Sequence, residues 1–154
     1  MIKIGIAGGA GYTGGELLRL LINHPEANIR FVLSGSNAGN QIAKVHADLA
    51  GETTLKFTDT MTDDIEVLFL CVGHGEAKKF LDANKISPDV RVIDLSQDFR
   101  LREMSKSDNR QFVYGLPELN KEAIRTAQNI ANPGCFATGL QLGLLPLAKA
   151  GLLD

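Results

Sequence analysis

A chain of 154 residues with 16 Lys and Arg against 18 Asp and Glu, formal net charge -2, can bury about 70% of the surface it exposes when unfolded, as one domain with its own core. The mixed charges form no basic stripe and no polybasic segment, so neither nucleic acid nor a membrane is expected as a partner. Cys71 and Cys135, the only cysteines, are too few for a disulfide scaffold and spaced unlike a metal site, which points to a reducing, cytoplasmic setting and no bound metal. The opening segment meets glycine too early for a signal h-region, and no run of about 18 apolar residues follows.

Ile2 to Ala7 is an apolar run bounded by glycine, the pattern of a strand buried on both faces. After it, Leu17, Leu18 and Leu21 fall at i+3, i+4 and i+7 from Gly14, a core-facing helical stripe that Pro25 ends. A strand over about 29–33 completes a right-handed βαβ unit. Ser34 to Asn40 reads as a loop, 41–49 as a weak helical stretch and 54–57 as a short strand. Ile65 to Val72 is the most hydrophobic strand candidate, and the next helix puts Ala77, Phe80 and Leu81 on one face. Val90 to Leu95 is a further strand. Ser96 to Gln111 is polar and aperiodic, a long excursion for a compact α/β domain and so a candidate functional segment. Tyr114 to Glu118 reads as a turn before a helix around 121–126, and 129–131 as a last short strand. A helix over about 136–148 follows, apolar nearly all round and expected to bend or stop at Pro146. The fold class is therefore α/β, Rossmann-type and doubly wound, with a mainly parallel sheet and helices on both faces.

The chemistry concentrates at strand ends. Gly8, Gly11 and Gly14 give a G-x-x-G-x-x-G spacing directly after the first strand, and Gly9, Gly11 and Gly14 also satisfy G-x-G-x-x-G. One glycine makes the turn, Gly11 admits a pyrophosphate, and Gly14 lets the helix pack closely on the sheet. The second strand ends in Leu33-Ser34-Gly35-Ser36-Asn37 without the carboxylate that would hold an NAD ribose; Ser34, Ser36 and Asn37 suit the extra phosphate of NADP. Cys135 follows Asn132-Pro133-Gly134 at a helix start, where first-turn N–H groups and the helix dipole favour a thiolate; Gly134 permits a positive φ that would present the side chain. Cys71, inside Leu68 to Val72, reads as inert core. His24 reads as a helix C-terminal cation and His46 as a surface or half-buried residue. His74, between two glycines past a sheet edge, is a candidate neighbour of cofactor or substrate. Asp94 to Arg100 offers an anion site through Ser96 and Arg100, or else an internal Asx turn.

Four segments together resemble the N-acetyl-gamma-glutamyl-phosphate reductases, the arginine-pathway branch of the semialdehyde dehydrogenase group: Gly8 to Leu17 (GGAGYTGGEL), Asp94 to Leu101 (DLSQDFRL), Tyr114 to Leu119 (YGLPEL) and Asn132 to Thr138 (NPGCFAT). Aspartate-semialdehyde dehydrogenases look alike at the glycine loop but differ around the cysteine. The resemblance implies reduction of an acyl phosphate with NADP(H). Cys135 is the implied nucleophile, Gly8, Gly11, Tyr12, Thr13 and Gly14 the cofactor loop, and Ser34 and Ser36 the neighbours of the adenosine ribose. From their own positions, His74 is taken as a cofactor contact and Ser96, Arg100 and Asn132 as substrate contacts. Gly35 stands where members of that family often carry an Arg. The family's catalytic His and much of its acyl pocket belong to a later domain, so 1–154 is expected to be the dinucleotide-binding domain, inactive alone, within a full-length homo-oligomer. A stand-alone dinucleotide-binding or sensing module without catalysis is the alternative.

Overall fold

The computed structural model describes residues 1–153. Seven strands form one sheet: β1 (Ile2–Ala7), β2 (Ala27–Leu33), β3 (Val67–Leu70), β4 (Arg91–Asp94), β5 (Lys106–Ser107), β6 (Arg110–Tyr114) and β7 (Asn129–Ala131). Their spatial order is β2-β1-β3-β4-β7-β6-β5, with every pair parallel except the β5–β6 edge hairpin. The helices are α1 (Tyr12–Ile22), α2 (Ala77–Ala83), α3 (Pro117–Thr126) and α4 (Cys135–Lys149).

Alternation along the central strands builds a core on each face. Ile4 and Ile6 of β1 join Leu18 of α1, Val32, Ile42, Leu49, Phe57 and Cys71 on one side. Ala7, with Leu68 and Leu70 of β3, meets Phe31, Ala77, Val92, Phe99 and Phe112 on the other. That is the period-two signature of a pleated strand covered on both sides, and each large side chain so buried stabilises the fold by about 1.5–3 kcal/mol. The chain turns back on β1, sending β2 to one side and β3 to the other. Ligands bind at such a reversal, outside the carboxyl ends of the strands.

Four expectations change. The 41–49 stretch forms two single 3-10 turns, Ile42–Lys44 and Ala47–Leu49, instead of a helix. No strand forms over 54–57; Lys56 and Thr58 make only isolated bridges, to Gln41 and Leu33. The excursion after β4 contains β5 and the start of β6, joined by a tight turn in which Asp108 takes φ 51°; Asp is among the few side chains that accept this region. Finally, α4 runs through Pro146 to Lys149 and ends in a Schellman motif, with Leu152 N–H donating to the Leu147 carbonyl, Gly151 N–H to that of Ala148, and Gly151 at φ 68°. Only one helical bond is lost at Pro146, and residue 142 is solvent-exposed, so water can take the orphaned carbonyl. No residue of α4 is buried.

Candidate active site at the carboxyl edge of the sheet

The glycine loop is held from three sides. Gly8 and Gly9 N–H groups both donate to the Leu33 carbonyl (3.1 Å each), and Gly11 N–H donates to that of Gly8 (3.1 Å). Gly8 has φ 79°, and a Cβ there would lie 2.5 Å from the Cys71 carbonyl oxygen. A Cβ on Gly14 would lie 2.6 Å from Gly9 Cα, so Gly14 serves close packing of α1 on the loop itself, not on the sheet as expected. Gly11 differs. A Cβ there would meet nothing nearer than the Gly8 carbonyl at 3.4 Å, an ordinary contact. The fold does not demand glycine at 11; an approaching ligand would. Gly11 is also the N-cap of α1 and supplies no side-chain cap, so the first-turn N–H groups of Tyr12, Thr13 and Gly14 remain open to an anion. Tyr12 and Thr13 are exposed at this mouth.

His46 is the residue that sequence reasoning missed. It is buried, not on the surface: its Nε2 lies 2.8 Å from the Gly9 carbonyl and its ring fills the space where Gly15 would carry a Cβ. The neighbouring Arg19–Asp48 ion pair ties the same 3-10 turn to α1. The signal was a second glycine at 15, unnecessary for phosphate binding and explained by an imidazole behind it.

At the end of β2, Asn37 Nδ2 lies 3.2 Å from both the Ser34 and Ser36 hydroxyl oxygens, gathering three polar side chains at the single turn Gly35–Asn37 and its N-cap. The nucleophile candidate lies further along the same edge. β7 is three strands from β1, about 14 Å at ordinary strand spacing. Cys135 occupies the first position of α4, exposed and free, after Gly134 at the N-cap. Cys71 is buried, and burial pushes its thiol up to about 12.

Between these points runs the Asp94–Arg100 turn. Ser96 donates from its N–H (3.0 Å) and its hydroxyl (2.8 Å) to the Asp94 carboxylate, and the hydroxyl accepts from Asp98 N–H (3.0 Å). The Asp98 carboxylate accepts from the N–H groups of Gly75 (2.6 Å), Ala77 (3.0 Å) and Lys78 (3.2 Å), capping α2 from a distant segment. Gln97 N–H donates to His74 Nδ1 (3.1 Å), which leaves the proton of the neutral ring on Nε2. His74 itself is exposed. Arg100 donates from Nε to the Asn132 carbonyl (2.8 Å) and from Nη2 to the Leu95 carbonyl (2.9 Å).

One expectation is thereby corrected. Ser96 is 1% exposed, with its hydroxyl donating to Asp94 and accepting from Asp98, so it supports the turn and does not face a ligand. Arg100 spends two of its five N–H donors on carbonyls. Asn132 is exposed, with Nδ2 only 3.2 Å from its neighbour's carbonyl. Gly134 also departs: its φ is -77°, accessible to any residue.

Fold and site define a Rossmann-type dinucleotide-binding domain with a free thiol on the ligand-binding edge. The chain belongs to the family described as semialdehyde dehydrogenase, NAD binding domain, which it matches over residues 3–127. It is similar to the N-acetyl-gamma-glutamyl-phosphate reductases of Phocaeicola vulgatus (59% identical, 100% of this chain, 47% of the relative) and Christiangramia forsetii (51% identical, 100% and 47%). The chain thus spans about half the length of the curated relatives it matches. An aspartate semialdehyde dehydrogenase of Candida albicans, solved with NADP, shares the fold at a TM-score of 0.69 and 15% identity, over 99% of this chain and 48% of the other. Among the described residues no helix is long and apolar enough to cross a membrane and no cluster of side chains could hold a metal ion.

Proposed function

We propose that this chain is the cofactor-binding and nucleophile-bearing part of an NADP-dependent reductase that converts N-acetyl-gamma-glutamyl phosphate to the semialdehyde and phosphate. The observation that carries the reading is the contrast between the two thiols: Cys135 is exposed at a helix start on the edge that carries the glycine loop, whereas Cys71 is buried.

The Cys135 thiolate attacks the acyl carbon and the phosphate leaves with the bonding pair, giving a thioester. When bound, the reduced nicotinamide supplies the hydride that reduces this thioester. Collapse of the resulting hemithioacetal breaks the C–S bond, releases the aldehyde and returns the thiolate. Covalent catalysis divides one difficult step into two. The first-turn N–H groups of α4 offer donors to each tetrahedral oxyanion, and the exposed Asn132 amide stands on the substrate side. The loop turned by Gly8 seats the pyrophosphate beside Gly11, where no side chain intervenes, and on the open N–H groups of Tyr12, Thr13 and Gly14. The carboxylate-free Ser34–Ser36–Asn37 cluster supports NADP over NAD, and the exposed His74 is a further cofactor contact. A cytoplasmic setting suits a reaction that needs an unoxidised thiol.

The test is acyl capture. Mixed with N-acetyl-gamma-glutamyl phosphate, the chain is expected to gain one acyl group at Cys135, removed by hydroxylamine and absent from the Cys135→Ser variant. Binding of dinucleotide with Cys135 neither acylated nor alkylated at neutral pH faster than Cys71 would instead favour a binding module.

A further inference from the structure

We propose that Arg100 is a positioning residue for the nucleophile: its guanidinium clamps the Asn132–Cys135 turn onto the end of β4 and so fixes where Cys135 stands relative to the dinucleotide. The proposal rests on Cys135 being the nucleophile.

Three observations converge on it. The two nitrogens that donate do so to carbonyls of different elements, Leu95 just after β4 and Asn132 just after β7. A planar fork can join two such acceptors at fixed spacing, which a Lys ammonium cannot do with the same geometry. The third nitrogen, Nη1, lies only 2.7 Å from where a Cβ on Gly134 would be. With φ at -77°, residue 134 has no conformational need for glycine; its missing side chain makes room for the guanidinium. Finally, the turn that carries Arg100 is itself anchored. Asn132 N–H donates to the Asp94 carbonyl (2.8 Å), and Asp98 and Gln97 bond the Gly75–Lys78 backbone and His74. One turn therefore ties the loop after β3, on the cofactor side, to the turn that presents the thiol.

The experiment measures how far saturating NADP+ slows alkylation of Cys135 in this chain, by site-resolved mass spectrometry, together with NADP+ affinity by titration. Wild type is expected to show strong protection at Cys135. In Arg100→Ala and Arg100→Lys the protection should fall about tenfold or more, the scale on which small misplacements act. NADP+ affinity should stay within about twofold, and methylguanidinium should restore protection to the alanine variant. Cys71 serves as the internal gauge of folding: it should stay unreactive in all three proteins. Wild-type protection that survives both substitutions overturns the clamp and leaves Cys135 as nucleophile intact. Bound NADP+ that gives no protection even in wild type overturns the reading on which the clamp rests. Accelerated Cys71 labelling in the variants, with protection and affinity lost together, would mean that Arg100 only holds the fold, and also overturns the proposal.

Discussion

Glycine has three different causes in this chain, and only one of them concerns a ligand. Gly8 is needed for its positive φ and Gly14 for its closeness to Gly9, but Gly11 has room for a methyl group. Gly14→Ala should therefore destabilise the chain by about 1–3 kcal/mol, as overpacking does, whereas Gly11→Ala should leave the melting temperature nearly unchanged and abolish dinucleotide binding. Thermal melts paired with NADPH titrations check both. The spacing of these residues could be read in the sequence because a turn and a helix start are local. His46 could not, because its partner, the Gly9 carbonyl, lies 37 residues away. His46→Leu leaves that carbonyl unpaired at a cost of about 1–3 kcal/mol and should weaken NADPH binding by loosening the loop. His46→Gln, which keeps a donor at a similar reach, should recover most of both.

At the scale of elements, strands with unbroken apolar runs were legible and the segments whose order comes from distant partners were not. β3, Val67–Leu70, declares itself by composition. The Asp94–Arg100 turn and the hairpin after it read as an aperiodic excursion, since their organisation comes from Phe99 stacking on Phe112 (centroids 4.0 Å apart) and from carboxylates bonding remote backbone. Phe99→Ala should cost about 3–5 kcal/mol, measured by denaturant unfolding. The same turn carries a pH signature. Burial, the largest influence on Asp94, holds its carboxyl above the ordinary carboxylate range, against the opposing bonds from Ser96. The folded state then keeps a proton that the unfolded chain has released, so this group's contribution to stability falls as pH rises from the ordinary carboxylate pKa through the raised value. Asp48 and Asp64, lowered by their bonds to Arg19 and Lys3, act in the opposite sense below that window. Subtracting the stability profile of Asp94→Asn from that of the wild type should leave a falling curve in the window just above the ordinary carboxylate pKa; a flat difference would contradict the assignment.

For the whole molecule, the contrast between α1 and α4 is the informative one. α1 buries Leu18 in the core on one face of the sheet and Gly14 and Gly15 against the glycine loop and His46, while α4, the helix that begins with Cys135, has no buried residue and exposes Phe136, Leu140, Leu144 and Leu147. Its apolar composition was plain in the sequence, and so was the expectation that part of its surface lacks cover in this chain; that no residue of it is buried was not, because periodicity reports how apolar a face is and not what lies against it. The isolated chain should bind an environment-sensitive apolar dye, and Leu140→Lys with Leu144→Lys should remove most of that fluorescence without lowering the melting temperature. Reduction of a thioester on Cys135 requires the cofactor ring to stand beside the thiol. A crystal structure of this chain with NADP+ measures their separation directly: the pyrophosphate should lie on the N-terminus of α1, with the nicotinamide beside Cys135 so that an acyl carbon on Sγ would sit about 3–3.5 Å from the hydride-accepting ring carbon. A dinucleotide seated on the glycines with its nicotinamide turned away from α4 would contradict it.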